Sequence, residues 1–360
     1  MFKKIIFLSV IVYIVFLNNI FLAVTIGSDT AVNRFNTQQI LATGDRVASF
    51  AALYGGLALT TFTVTATWDS VFSLEGPLNL NSGTLLLDSD LILANNSNFF
   101  QAGSITGQNH LLELAATNSF IHTSTATSRN CIISNLEIFL NSDVYLRNCN
   151  ITFSGNSMIN GKGWSLNLLS TATIALASNS TLIFKNIVIN GMRVSRLFGS
   201  TTTSTFIFDD VTINLDSNYT FSTARFEVCN DLLITGSGFG IQYSTTGASF
   251  IGSSGRLIFD QGVTFSYVPS NGSRNLLTFV DSAAELFLRG GIFYTGSGGI
   301  NLLKGKLSVD RDSYLLNAGV SSAAGITLGD GVALMNNMRL NLLPAATLNL
   351  GQGFLVYKNV

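Results

Sequence analysis

The chain writes one short phrase again and again. Ser180–Met192 reads STLIFKNIVINGM, and STFIFDDVTINLD from Ser204, GRLIFDQGVTFSY from Gly255 and AELFLRGGIFYTG from Ala284 are variants of it. Each is apolar-x-apolar, a polar turn of two or three residues, then apolar-x-apolar. Alternation with period two marks a strand buried on one face. The pattern can be started at Leu85, Leu112, Val144, Leu182, Phe206, Phe226, Leu257, Leu286, Leu307, Ile326 and Leu348, in steps of 19 to 38 residues. No stretch sustains a 3.6-residue period for three turns, which excludes a helical solenoid. The runs are also too short for an outer-membrane barrel, whose strands need about 9–11 residues.

Short strands meeting at tight polar corners describe the coils of a parallel β-solenoid. A lone coil buries too little apolar surface to offset the entropy of ordering it, so coils must stack. The pattern predicts an all-β parallel β-helix of roughly ten to twelve coils over residues 62–360. The longest steps read as inserted loops, with Phe153–Leu169 the clearest case. Two residues past the second apolar site stand Asn148, Asn186, Asp210, Asn230, Gln261, Asp330 and Gln352, with Ser89, Ala116, Gly290 and Arg311 in the other copies. Amides tolerate unusual turn conformations and hydrogen-bond along a stack. The expectation is an interrupted amide column at one corner.

The N-terminus is a different kind of segment. Lys3 and Lys4 precede an apolar run from Ile5 to Leu17, and small residues follow at Ala23 and Gly27. That layout predicts a signal peptide over residues 1–27 and an exported protein, secreted or held at the cell surface. An uncleaved anchor over Ile5–Val24 is the rival reading, and Asn18 and Asn19 within that span argue against it. No later segment is long enough to span a membrane as a helix. Residues 28–61 are expected to form an N-terminal cap, with a short helix over Thr43–Gly56 stopped by Gly55 and Gly56.

Charged residues make up only 11% of the chain and the formal net charge is −1. An ordinary domain carries about 25% charged residues. With no basic surplus, no nucleic-acid partner is expected. Outward positions must therefore be filled mostly by Ser, Thr, Asn and Gly. The three cysteines, Cys131, Cys149 and Cys229, are an odd number and make no disulfide scaffold. Cys131 and Cys149 stand about one repeat apart and are expected on adjacent coils.

The LIFKNIVING type of phrase resembles the right-handed parallel β-helix proteins of the pectin-lyase-like superfamily. It is also similar to repeat-rich passenger regions of bacterial surface proteins and autotransporters. The resemblance implies a right-handed coil and, for the enzymes, action on acidic polysaccharides. Their motifs are missing here. The aspartate set of polygalacturonase-like members is reduced to Asp209-Asp210, and His110 and His122 lack the flanking glycines. Lys304–Lys306 lacks the arginine of an Arg-x-Lys, and Arg193–Arg196 lacks the proline of the lyase motif.

Asp88–Asp90 and Asp310–Asp312 read as solvated turns rather than calcium ligands, which would need six to eight oxygens. Gly236–Gly240 and Gly296–Gly299 read as turns rather than phosphate loops. Trp68 and Trp164 could stack on sugar rings, although lone tryptophans more often fill a cap or loop. No catalytic, cofactor-binding or metal-binding residue is assigned, and no cofactor is expected. The expected role is structural or adhesive, with cell-surface glycans or neighbouring surface proteins as partners. A divergent polysaccharide lyase or hydrolase would have to gather Lys185, Asp209, Asp210 and Arg193. A passenger fragment of an autotransporter-like protein is the third reading.

Overall fold

The computed structural model describes residues 102–122 and 130–317 without a break, most of 72–100, and strand segments on either side. Residues 1–24, most of the expected signal peptide, and Trp68 lie outside the described residues. Parallel strands stack as a β-solenoid of about ten turns. Successive strands fall in rotation onto three faces. The first carries Asn130–Ser134, Asn150–Ser154 and Thr173–Leu176. The second carries Glu137–Leu140 and Asn156–Asn160. The third carries Val144–Arg147 and Ser165–Leu169. Thr181–Met192 bends through one corner and serves the second and third faces in turn, as does Thr205–Leu215.

The apolar letters of the phrase point inward as expected. Leu182, Phe184, Ile187 and Ile189 are at most 2% exposed, while Lys185 and Asn186 between them face solvent. Aromatic rings fill the axis in a continuous run. Phe184 stacks on Phe208 with centroids 5.9 Å apart, and Phe221, Tyr243 and Tyr267 continue at 6.4 and 5.3 Å.

Three expectations are corrected. Phe153–Leu169 is no insertion but part of a full coil, whose second-face strand buries Ser157 and Ile159. A buried serine where the phrase wants an apolar residue hid the repeat, and its hydroxyl accepts the Leu136 amide at 3.3 Å. The true coil step runs from 18 residues, Gln39 to Leu57, to 29, Arg256 to Glu285. Longer apparent steps joined different faces: Leu112 and Leu182 lie on the second, Val144 on the third.

The amide column also divides, because the phrase reads alike at more than one corner. Asn186, Asp210 and Asn230 do share the corner between the second and third faces. Asn148 and Gln261 occupy the corner between the third and first. Gly290 sits there too, between Gln261 and Arg311: a Cβ on it would lie 3.3 and 3.4 Å from theirs. Left-handed φ values at Asn148, Asn186 and Asp210 (54°, 44° and 56°) explain the preference for Asn and Asp at each bend.

Within Thr43–Gly56, where a capping helix is expected, the described residues form strands instead. Arg46–Val47 and Ala51–Leu53 pair in parallel with Thr25–Ile26 and with strand Asn33–Phe35. An alternating apolar pattern next to a β edge is recruited as strand whatever its local helix preference.

Candidate functional site

Of the residues a divergent enzyme would need, three meet and one does not. Lys185 and Asp209 are register neighbours on the second face, and their ion pair closes at 3.1 Å. Asp210 follows at the exposed bend, and Asn230 donates its side-chain amide to Asp209. The hydrogen bond and charge of Asp209 push the Lys185 pKa up, which holds the amine protonated and makes it a poor base. Arg193 lies at another corner, donating to the Ser170 carbonyl at 3.4 Å. The neighbouring Cys229 thiol is raised by burial and by Glu227 and Asp209, so it stays protonated and is a weak nucleophile.

Several of the remaining sequence candidates take structural places. His110 faces Asp90 at 3.5 Å. Arg196, only 4% exposed, donates to the carbonyls of Ala172 and Ser170 and seals its corner. Gly236, Gly238 and Gly299 have φ of 119°, 87° and 69°, as turns require. Trp164 is 45% exposed at a bend, where the nearby Lys162 ammonium sits 4.4 Å from the Phe139 ring centre. Cys131 and Cys149 do fall on adjacent coils, both buried and free. Among the described residues, no three His, Cys, Asp or Glu side chains gather as a metal site. Among them also, no helix is long and apolar enough to cross a membrane.

Several rows of outward polar side chains are occupied with one another. Asn190 donates to Asn167 at 2.9 Å and Asn214 to Asn190 at 2.5 Å, and Thr235 extends this ladder to Asn214. On the first face, Thr152 and Thr173 donate to Asn130 and Asn150, each at 2.8 Å. Charged groups pair likewise: Arg256 with Asp231, and Arg289 with Asp260.

A depression on the second face carries no such row. Asn109, Asn135, Glu137, Asn156, Met158 and Ile183 line it. The corner between the first and second faces explains it. That corner spends four residues at Gly107–His110, two at Asn135-Leu136, one at Gly155, and four again at Ala177–Ser180. Two long corners therefore flank two short ones, and the wall steps inward between them. Gly155 makes the step possible: its φ is +66°, and a Cβ there would lie 2.1 Å from Asn135 Oδ1. That oxygen instead accepts the Asn156 backbone amide at 3.0 Å.

Sequence reading did not single out this notch. The only trace was Gly155-Asn156 among spacings taken for an insertion. Comparison with known proteins leaves the site without a precedent: no family model, no curated protein and no solved structure matches the chain.

Proposed function

We propose that the chain is an exported or cell-surface solenoid with a structural and adhesive role. One observation carries the reading: outward polar groups pair laterally from coil to coil instead of converging on a reacting centre, as in the Asn167–Asn190–Asn214 ladder. Such walls expose a long, nearly neutral surface rich in hydrogen-bonding groups. The basic-then-apolar N-terminus supports export. Kinship with pectin-lyase-like or passenger-type solenoids belongs to the same proposal and rests on the repeated phrase.

The meeting of Lys185, Asp209 and Asp210 on one wall is what favours a second reading, a divergent polysaccharide lyase or hydrolase. A glycan-array assay on residues 28–360, run beside a reducing-end assay on acidic polysaccharides with and without calcium, separates the two. Binding without product release supports the adhesive reading. Released reducing ends would install the second.

A further inference from the structure

The notch is a concave part of the outer wall whose polar side chains form no pairs with one another. Among the described residues, the side chains of Asn109 and Thr181 and the Glu137 carboxylate have no hydrogen-bond partner. Asn135 uses its oxygen on the Asn156 backbone and keeps its amide NH2 free. On the first face and along the Asn167–Asn190–Asn214 ladder, side chains of these types are paired with one another. Unused hydrogen-bonding capacity concentrated in a concave place is what a polar ligand requires.

The lining also states what kind of ligand. Met158 and Ile183 supply an apolar floor of half-buried side chains. Amides that both donate and accept, a hydroxyl and a carboxylate that accepts form the rim. Hydroxyl groups on an apolar ring skeleton match that mixture. The lining contains no lysine or arginine, and Glu137 contributes a negative charge, so an anionic sugar would meet repulsion without compensation. The two projecting corners are three strand spacings apart, about 14 Å at roughly 4.8 Å per strand. A short run of sugar units fits across that span.

We propose that this notch binds a neutral oligosaccharide, with Glu137 and the Asn109 and Asn135 amides taking hydroxyls and Met158 and Ile183 taking the apolar sugar face. The proposal rests on the adhesive reading and gives it a location and a ligand class.

The test uses the exported chain from residue 28 and calorimetric titration with hexasaccharides of glucose, galactose, mannose and N-acetylglucosamine, with oligogalacturonate as the acidic comparison. At least one neutral probe is expected to bind and oligogalacturonate is not. The double variant Glu137→Ala, Met158→Ala should weaken binding tenfold or more. Phe198→Ala, an exposed change on the first face, should leave it unchanged. Glu137→Gln, nearly isosteric, repeats the test without a loss of volume, and far-UV circular dichroism checks each fold.

Absence of binding by all four neutral probes overturns the proposal. So do unchanged binding in the double variant and Glu137→Gln, or preference for oligogalacturonate. Sugar binding that survives in the notch variants refutes the notch but leaves the adhesive reading standing. Reducing ends released from a bound probe refute the non-enzymatic reading and leave the notch assigned.

Discussion

The buried phenol of Tyr219 donates to the carbonyl oxygen of Leu197 at 2.5 Å. The bond crosses a seam on the first face, where the strands Leu197–Gly199 and Tyr219–Phe221 belong to separate sheets. Thr223 repeats the device by donating to the Gly199 carbonyl. Side-chain hydroxyls thus satisfy carbonyls at a seam where the two strands share no backbone ladder.

Replacing Tyr219 with Phe should therefore cost about 1–3 kcal/mol, the penalty of an orphaned buried carbonyl. Tyr314→Phe, at a position 42% exposed, should change little. Urea midpoints of the two variants make the comparison. Equal shifts would mean that water reaches the Leu197 carbonyl.

The axial aromatic run should behave as one body. Phe206 is fully buried against Phe184 and Phe208, with centroids 6.3 and 6.5 Å away. Phe206→Ala is expected to cost about 3–5 kcal/mol. Amide exchange should rise first in Thr181–Met192 and Arg225–Val228, the strands that pair with its own. Protection lost only near the chain ends would contradict the stacked arrangement.

A pH dependence follows from Asp260. Burial works to raise its pKa, yet hydrogen bonds from Arg289 and the Gln261 backbone, with the charges of Arg289 and Arg311, hold it below its ordinary 3.8. A depressed carboxylate contributes stability that is fully present above its unfolded value and lost as pH falls through the lower folded value. Asp260→Asn should therefore lower the melting temperature at pH 7 and flatten the acid limb below about pH 4. A parallel acid limb in the variant would assign the slope to other carboxyls.

Thiol chemistry checks the packing of the coils. Burial pushes the Cys149 thiol up to about 12 and raises Cys131 as well, with Cys149 beside it adding to the effect. A disulfide-exchange reagent at pH 8 should label native protein slowly, at the half-buried Cys229 first. Cys131 and Cys149 should react only on unfolding. Prompt labelling of all three would show that the first face opens in solution.

Much of this architecture was legible in the letters. Leu182, Phe184, Ile187 and Ile189 announced both halves of their bent strand and its inward side, because alternation depends only on the pleat. Asn186 announced the bend, because only a few residue types accept its left-handed φ of 44° cheaply. Ser157 was illegible. A buried serine looks like a surface residue until the Leu136 amide it satisfies is known. Lys185 and Asp209, 24 residues apart, could be named as candidates but not as a closed ion pair.

The sequence by itself determined that the chain is built from short one-sided strands and polar bends, since local sterics and burial act on neighbouring residues. It also determined that coils must stack, because no single coil holds enough apolar surface. Which face each strand joins was decided only in three dimensions. The phrase reads alike at different corners, and pairing with the coils above and below breaks the tie. The notch is a product of that stacking. It exists because the corners at Gly107–His110 and Ala177–Ser180 are long, those at Asn135-Leu136 and Gly155 are short, and the fold sets them one above another.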